Sequence, residues 1–149
     1  MAAEKPDQND STAIYTLGVV SKLSGIPVHS ILQYINKGLI IPFKKVSRRN
    51  LFSDADISRL KYIRHLLEDR GLNIAGIRAL MAHVPCWSIH KCSEKDRKNC
   101  EAYHSSMKPC WEVTVKGSRC KNIECRQCSI YIFPLNKNDL KYLVKQATN

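Results

Sequence analysis

All seven cysteines of this 149-residue chain lie between Cys86 and Cys128, and both tryptophans lie among them. Pro85, Pro109 and Gly117 interrupt the same stretch, so no long helix can run through it. The stretch is also too polar to bury a sufficient apolar core of its own. A bound metal or cluster can supply the missing folding free energy. The sequence therefore predicts a small, irregular, metal-stabilised domain here.

An internal repeat orders these cysteines. The first unit begins at Pro85-Cys86-Trp87 and ends at Cys100-Glu101-Ala102-Tyr103. The second begins at Pro109-Cys110-Trp111 and ends at Cys128-Ser129-Ile130-Tyr131. A chance scatter of buried thiols would not repeat together with its aromatic partners. The repeat indicates that all the cysteines are candidate metal ligands, namely Cys86, Cys92, Cys100, Cys110, Cys120, Cys125 and Cys128.

The two units offer different numbers of ligands. The second contains four thiols, Cys110, Cys120, Cys125 and Cys128, which is the number that a tetrahedral zinc site or a four-iron cluster requires. The first contains three, because Arg97 stands where the second has Cys125. Its fourth ligand is open between His90, His104, a water molecule and no ligand at all. The second unit is thus expected to close a complete site by itself.

The spacing also bears on the identity of the metal. A zinc ribbon normally has two close cysteine pairs, whereas this chain has the single pair Cys125-x-x-Cys128. Iron–sulfur clusters tolerate irregular spacing, and a basic segment offsets the negative charge of thiolates and sulfides. We expect an iron–sulfur cluster in preference to zinc, which stays as the alternative, with Trp87 and Trp111 shielding the site. The CW and C-x-x-C-x-x-Tyr elements resemble bacterial two-CW modules, a resemblance that implies metal or cluster binding.

The first third of the chain has a different character, because no Asp or Glu occurs from Ser11 to Ser53. The whole chain has a formal net charge of +11 and a sequence pI of about 9.5. Such a balance suggests an anionic partner, either nucleic acid or a membrane surface. The acid-free block favours a phosphate-binding module. Its cations are Lys22, Lys37, Lys44, Lys45, Arg48 and Arg49.

Two short helices are expected inside this block. Thr16 should cap the first, which stops at Gly25. Pro27 should open the second, which runs through Lys37 with Gly38 as its C-cap and with Ile31, Leu32 and Ile35 on its apolar face. Two helices joined by a tight turn are typical of a helix-turn-helix.

A wing and two further helices should follow. The β-prone residues 39–41 and 51–52 flank a basic, turn-prone tip at 44–50, as in a two-stranded wing. Ser53 and Asp56 form a capping box for a third helix that runs to Gly71. Asn73 should cap a fourth helix that ends before Pro85.

The run from Tyr15 to Met81, with its wing and the signature Leu72-Asn73-Ile74-Ala75-Gly76-Ile77, resembles the MerR family of transcription regulators, especially its heat-shock-repressor-like branch. The resemblance covers residues 14–83. It implies binding to an operator in double-stranded DNA, with the second helix in the major groove and the wing along the backbone or minor groove.

Individual roles follow from this resemblance and from side-chain chemistry. Gln33 can pair with adenine, and Ser30 can donate or accept a hydrogen bond. His29 is either a contact or a solvated surface residue, and Tyr34 is either a phosphate contact or a packing residue. The basic residues of the wing should position the protein without reading sequence. The expected DNA contacts are Thr16, Lys22, His29, Ser30, Gln33, Tyr34, Lys37, Lys44, Lys45, Arg48, Arg49 and Asn50.

The chain also departs from the family pattern. Leu32 and Asn50 stand where the family usually has arginine, which removes expected phosphate contacts. Pro85-Cys86-Trp87 interrupts the path along which many members continue into a long coiled-coil helix. A homodimer is still expected, because two-fold operators match dimers. RNA polymerase at the promoter is a further expected partner.

The sequence thus predicts a mainly α protein: a disordered tail over 1–12, a winged helix-turn-helix DNA-binding domain over 13–84, a cysteine-rich segment over 85–133 and a C-terminal amphipathic helix over 134–149. The polar N-terminus predicts no signal peptide, and we expect a cytoplasmic location. The leading hypothesis is a regulator that senses redox state or metal supply. A constitutive repressor with structural zinc and, more remotely, a redox or electron-transfer protein are the alternatives. No cysteine is paired with a recognisable base motif, so no enzyme is expected.

Overall fold

The computed structural model describes residues 12–44 and 49–132, together with Lys141 and Lys145. The N-terminal tail, Lys45 and Arg48 lie outside these residues, as does the expected C-terminal helix apart from the two lysines. The chain forms two compact units, residues 1–65 and 66–149. The described residues are mainly helical, as expected.

A helix-turn-helix opens the first unit. Helix α1 covers Leu17–Ser24 and α2 covers Val28–Asn36. Gly25 ends α1 at φ 72°, a conformation that glycine adopts without a steric penalty. The Ser21 hydroxyl donates to the Ile26 carbonyl at 2.6 Å, and the Ile26 side chain is buried. Hydrogen bonds and apolar burial therefore fix the turn together, and the predicted motif is confirmed.

A small antiparallel sheet accompanies these helices in the described part of the chain. Its strands are β1 (Tyr15–Thr16), β2 (Phe43–Lys44) and β3 (Asn50–Phe52), in the order β1-β3-β2. Thr16 stands at the N-cap of α1, as predicted, but its side chain makes no capping hydrogen bond. The backbone of Thr16 pairs with Leu51 in the sheet.

The wing is confirmed as two paired strands, but its first strand begins later than predicted. Phe43 pairs with Leu51, whereas Leu39 and Ile40 lie outside any strand and are fully buried. The Arg59 guanidinium donates through Nε to the Leu39 carbonyl at 2.8 Å. The Arg59 side chain thus provides the hydrogen bond that the Leu39 carbonyl would otherwise form with a neighbouring strand.

Two further helices have the predicted caps. Helix α3 covers Asp54–Glu68, and its capping box is reciprocal. The Ser53 amide donates to Asp56 Oδ2 at 2.8 Å, and the Asp56 amide donates to Ser53 Oγ at 3.2 Å. Helix α4 covers Ile74–Ala82, and Asn73 Oδ1 accepts from the Gly76 amide at 2.7 Å. Both caps confirm the sequence interpretation.

Short helical turns make up the cysteine-rich stretch. They are α5 (Cys86–Ile89), α6 (Glu94–Lys98), α7 (Glu101–His104), 3-10 turns at Cys110–Glu112 and Cys125–Gln127, and α8 (Ser129–Ile132). Val84, Cys86 and Ile130 form a small buried cluster, with Trp87 and Ile89 packed against it. This apolar cluster is small, as the composition predicted, so thiols lie where a larger domain would have hydrocarbon.

Candidate functional sites

Helix α2 presents one continuous exposed stripe. Its buried side is Ile31, which is 0 % exposed, and Tyr34, which is 6 % exposed. Leu32 was expected on the apolar face, but it is 40 % exposed and belongs to the opposite side. Positions three and four apart on a helix share a face, so the exposed residues form a single surface. These residues are Val28, His29, Leu32, Gln33, Asn36 and Lys37.

The other predicted DNA contacts divide by exposure. Thr16, Lys22, Lys44 and Arg49 are exposed, and Ser30 and Asn50 are half-buried. The burial of Tyr34 favours the packing alternative for this residue. Arg64 donates from Nη1 to the Gly25 carbonyl at 2.6 Å, which braces the turn that precedes α2. The exposed stripe is thus carried by a helix whose start is held in place.

All seven cysteines line one cavity of the second unit. They are free thiols, and six are half-buried while Cys86 is buried. His90, Arg97, Lys116 and Arg119 line the same cavity. Residues from both repeat units therefore converge on one space, a convergence that spacing along the chain did not predict.

The two repeat units have the same local geometry. In the first, Trp87 packs edge-to-face on Tyr103, with ring centroids 5.2 Å apart and planes at 86°. In the second, Trp111 packs on Tyr131 at 5.1 Å and 89°. Each CW element is thus held against the tyrosine that closes its own unit, and all four rings line the cavity. The aromatic residues of the repeat serve as its walls.

The thiols of this cavity are poorly solvated. Burial raises the pKa of the Cys86 thiol to about 12 and that of the Cys120 thiol to about 11, and neighbouring thiols add to both shifts. Burial also raises the pKa of Cys110 above its usual range, with Cys86 as its strongest thiol neighbour. A cation is needed to hold these groups as thiolates near neutral pH, so metal binding here would release protons.

Basic residues and a histidine complete the lining. Lys116 donates from Nζ to Cys125 Sγ at 3.4 Å. Burial and then Asp96 raise the pKa of Cys92, and Arg119 and Arg97 oppose this shift in part. His90 Nε2 lies 3.4 Å from Cys128 Sγ. Burial and then Arg119 lower the pKa of His90, which favours the neutral imidazole that binds metals. His104 is exposed and does not line the cavity.

The ligands do not surround an ion as they stand. Among the described residues, no three of the His, Cys, Asp and Glu side chains are grouped closely enough to hold a metal ion. Around one tetrahedral zinc the sulfurs would lie about 3.8 Å apart, given Zn–S bonds of about 2.3 Å. About 30 Å³ of the cavity is wide enough for a water-sized sphere. An iron–sulfur cluster is larger than this space, so its binding would require the side chains that line the cavity to move apart. The chemistry of the donor set fits a thiophilic metal or cluster, and binding must adjust the side chains.

No helix in the described ranges is long and apolar enough to cross a bilayer.

Known proteins resemble the part of the chain that carries the exposed stripe of α2. The sequence model of the family described as MerR HTH family regulatory protein matches residues 15–84. Heat shock protein HspR of Streptomyces coelicolor is 32% identical over 72 residues, 48% of this chain and 48% of that protein. The HTH-type transcriptional regulator GlnR of Bacillus anthracis is 34% identical over 71 residues, 48% of this chain and 54% of that protein, and GlnR of Bacillus cereus matches equally. The chain spans about half the length of these curated relatives.

Proposed function

From the MerR-type helix-turn-helix domain in residues 15–84, we propose that this chain is a sequence-specific DNA-binding transcription regulator. The observation that carries the proposal is the exposed stripe of α2, on a helix that is anchored by Ile31 and Tyr34. The stripe presents an amide at Gln33 and a cation at Lys37, and the surrounding residues 11–53 contain no acidic side chain. A surface of this charge attracts the DNA backbone, and polar groups on a groove-facing helix read base edges.

A titration of DNA binding against salt tests this part. Lys44→Gln combined with Arg49→Gln should weaken binding to all sequences, because both side chains are exposed on the wing. The slope of log affinity against log salt should become shallower by roughly 0.9 for each lost phosphate contact. Lys98→Gln combined with Lys121→Gln removes the same charge from the cysteine-rich stretch and is the matched control. Equal slopes for the two double variants would reject the wing as a phosphate contact.

The second part of the proposal is that the cysteine-rich stretch binds an iron–sulfur cluster or another metal. Seven thiols and His90 line one cavity, and Lys116, Arg97 and Arg119 offset the negative charge of thiolates. When bound, an iron–sulfur cluster would supply one-electron redox chemistry, and its state would bias the affinity of the regulator for its operator. We propose that the regulator acts as a homodimer at a two-fold operator in the cytoplasm, with RNA polymerase as a further partner at the promoter.

Purification of the full chain without oxygen, followed by a visible spectrum and analysis of iron, sulfide and zinc, tests this part. The proposal expects a brown protein that contains iron and acid-labile sulfide. A colourless protein with zinc would favour the second candidate, a constitutive repressor with a structural metal. That candidate is supported by the 3.4 Å contact between His90 and Cys128, because three thiolates and one imidazole are a common zinc ligand set.

A further inference from the structure

We infer that the two repeat units exchange ligands, so that neither unit closes a metal site by itself. One set consists of Cys86, Cys92 and Cys100 of the first unit with Cys120 of the second. The other consists of Cys110, Cys125 and Cys128 of the second unit with His90 of the first. This inference rests on the proposed binding of a metal or cluster and specifies which residues hold it.

The position of Cys120 follows from the way the loop before it docks on the first unit. The Ser118 hydroxyl donates to Asp96 Oδ1 at 2.6 Å. Gly117 lies so close to the same residue that a Cβ there would be 3.1 Å from the Asp96 carbonyl oxygen. The Cys120 amide in turn donates to the Gly117 carbonyl at 3.1 Å. These contacts hold the loop that carries Cys120 against the first repeat unit, which contains Asp96.

The same segment of the first unit carries Cys92. Arg97 donates from Nε and Nη2 to the Cys92 carbonyl at 3.2 and 3.1 Å, and Ser93 caps the short helix that contains Asp96. Cys92 is therefore fixed on the loop to which the Cys120 loop is docked. Asp96, Gly117 and Arg97 line the cavity together with both thiols.

The position of His90 gives the reciprocal exchange. His90 ends α5, where its amide donates to the Cys86 carbonyl at 2.9 Å. From there its ring reaches Cys128 of the second unit, 3.4 Å away. The first repeat unit has Arg97 where the second has Cys125. Among the described residues, the thiol that His90 contacts is that of Cys128 in the second repeat unit. The first unit thus gives one ligand to the second set and receives Cys120 in return.

Electrostatic coupling joins thiols within each set and also crosses between the sets. Cys120, Cys100 and Cys92 all raise the pKa of Cys86, and Cys92 and Cys100 raise that of Cys120. Every pair within the first set is therefore coupled, since Cys100 also raises the pKa of Cys92.

In the second set, burial and then Cys86 of the first set raise the pKa of Cys110 most, ahead of Cys128 and Cys125. Burial and then Cys125 raise the pKa of Cys128. Cys125 is absent from the largest influences on Cys120, although Cys128 is among them. The coupling therefore indicates that the two sets are adjacent in one cavity. Their division rests on the docking of the Cys120 loop and on the contact between His90 and Cys128.

The exchange gives two complete ligand sets from an odd number of cysteines. Four thiolates suit a zinc ion or an iron–sulfur cluster, and three thiolates with one imidazole suit zinc. Because each set takes residues from both units, loss of either metal should loosen the contact between the units.

Metal content per full-length chain separates this arrangement from a division by repeat. Cys92→Ser and Cys120→Ser should each lose the metal of one set, about half of the total. The double variant Cys92→Ser/Cys120→Ser should lose no more than either single variant, because both residues belong to one set. Cys92→Ser/Cys125→Ser should lose all the metal. In the wild-type chain, His90→Ala should lower the metal content. In the Cys125→Ser chain, the same substitution should cause no further loss. His104→Ala is the matched control and should leave the metal content of both chains unchanged.

The opposite result for the double variants overturns the inference: complete loss in Cys92→Ser/Cys120→Ser, with Cys120→Ser/Cys125→Ser no worse than its single variants. A second measurement covers the case in which these variants fail to fold. Metal is removed stepwise from the wild-type chain with a chelator, and exposed thiols are alkylated and mapped by mass spectrometry. Cys120 should react together with Cys92 and Cys100. Reaction together with Cys125 and Cys128, or of all seven thiols at once, contradicts the two exchanged sets.

The same experiments distinguish failure of this inference from failure of the proposed function. A wild-type chain that contains no iron, sulfide or zinc after anaerobic purification contradicts metal binding itself. A wild-type chain that contains metal, with Cys120 grouped with Cys125 and Cys128, contradicts the exchange alone.

Discussion

The helix-turn-helix unit and the cysteine-rich stretch keep their structures by different means. In the first, Val20, Ile31, Leu39, Leu60 and Ile63 are each 0 % exposed. Full burial of such a side chain contributes roughly 1.5–3 kcal/mol. In the second, one buried cluster consists of Val84, Cys86 and Ile130, and Cys86 is itself a candidate ligand. Ala102, Val113 and Tyr131 are buried as well, but none is 0 % exposed. We therefore expect the stability of the cysteine-rich stretch to depend on what its thiols bind.

The largest expected effect of this difference is on local unfolding after metal removal. Chelation of the full chain should abolish amide protection across residues 86–132, because metal binding free energy in so small a core is folding free energy. Protection within α1 and α2, whose burial involves no thiol, should survive. Hydrogen exchange read by mass spectrometry measures both regions in the same sample, so the helix-turn-helix unit is the internal control. Equal protection in 86–132 with and without metal would show that its apolar contacts suffice.

The second effect concerns the hydrocarbon core and uses two neighbours on α2. Ile31→Ala should destabilise the protein by about 2–5 kcal/mol, because it removes a fully buried side chain. Leu32→Ala is the matched control, since Leu32 is 40 % exposed, and it should change stability by no more than about 0.5 kcal/mol. Urea denaturation of the metal-loaded chain measures both changes. Similar losses for the two variants would mean that α2 is packed differently.

The sequence predicted the helix-turn-helix, α3 and α4 because local chemistry determines where these helices begin and end. Gly25, the Ser53–Asp56 capping box and Asn73 act on neighbouring residues, so their patterns are readable without a fold. Strand β1 and the burial of Leu39 and Ile40 were missed, because they depend on distant partners such as Phe52 and Arg59.

The sequence predicted Leu32 on the buried face of α2, whereas the structure buries Tyr34 there. This error has a related origin. Both residues are compatible with an apolar helix face by spacing, and tertiary packing decides between them. The seven thiols show the same limit on a larger scale. Their repeat was visible in the sequence, but their convergence on one cavity depends on contacts such as that between Asp96 and Ser118.

A third effect concerns base recognition by the exposed stripe of α2. Gln33→Ala should relax the base preference at one operator position and cost roughly 1–3 kcal/mol there, provided the amide makes a bidentate contact. Stability should be unchanged, because Gln33 is exposed. Binding-site selection with both proteins measures the preference, and the remaining operator positions serve as the control. Identical selected sequences would remove Gln33 from the base-reading residues.

The smallest effect tests a contact between α4 and the cysteine-rich stretch. Arg78 Nη2 lies 2.7 Å from Glu112 Oε2, and the two side chains are 27% and 22% exposed. A double-mutant cycle with Arg78→Met and Glu112→Gln should give a coupling free energy of about 0.2–1 kcal/mol in the metal-loaded chain. Denaturation of the four proteins measures it. Strictly additive losses would show that this ion pair does not connect the two segments.

We propose that the state of the cysteine-rich stretch controls operator binding by the helix-turn-helix unit. Fluorescence anisotropy with one labelled operator, at one salt concentration, can compare the same full-length chain before and after removal of its metal or cluster. We predict that the Kd changes at least tenfold, about 1.4 kcal/mol of coupling, and that reconstitution restores it. The Lys98/Lys121 double variant should respond like the wild type. Indistinguishable Kd values for the loaded and metal-free chains, with both still binding the operator, would contradict the claim.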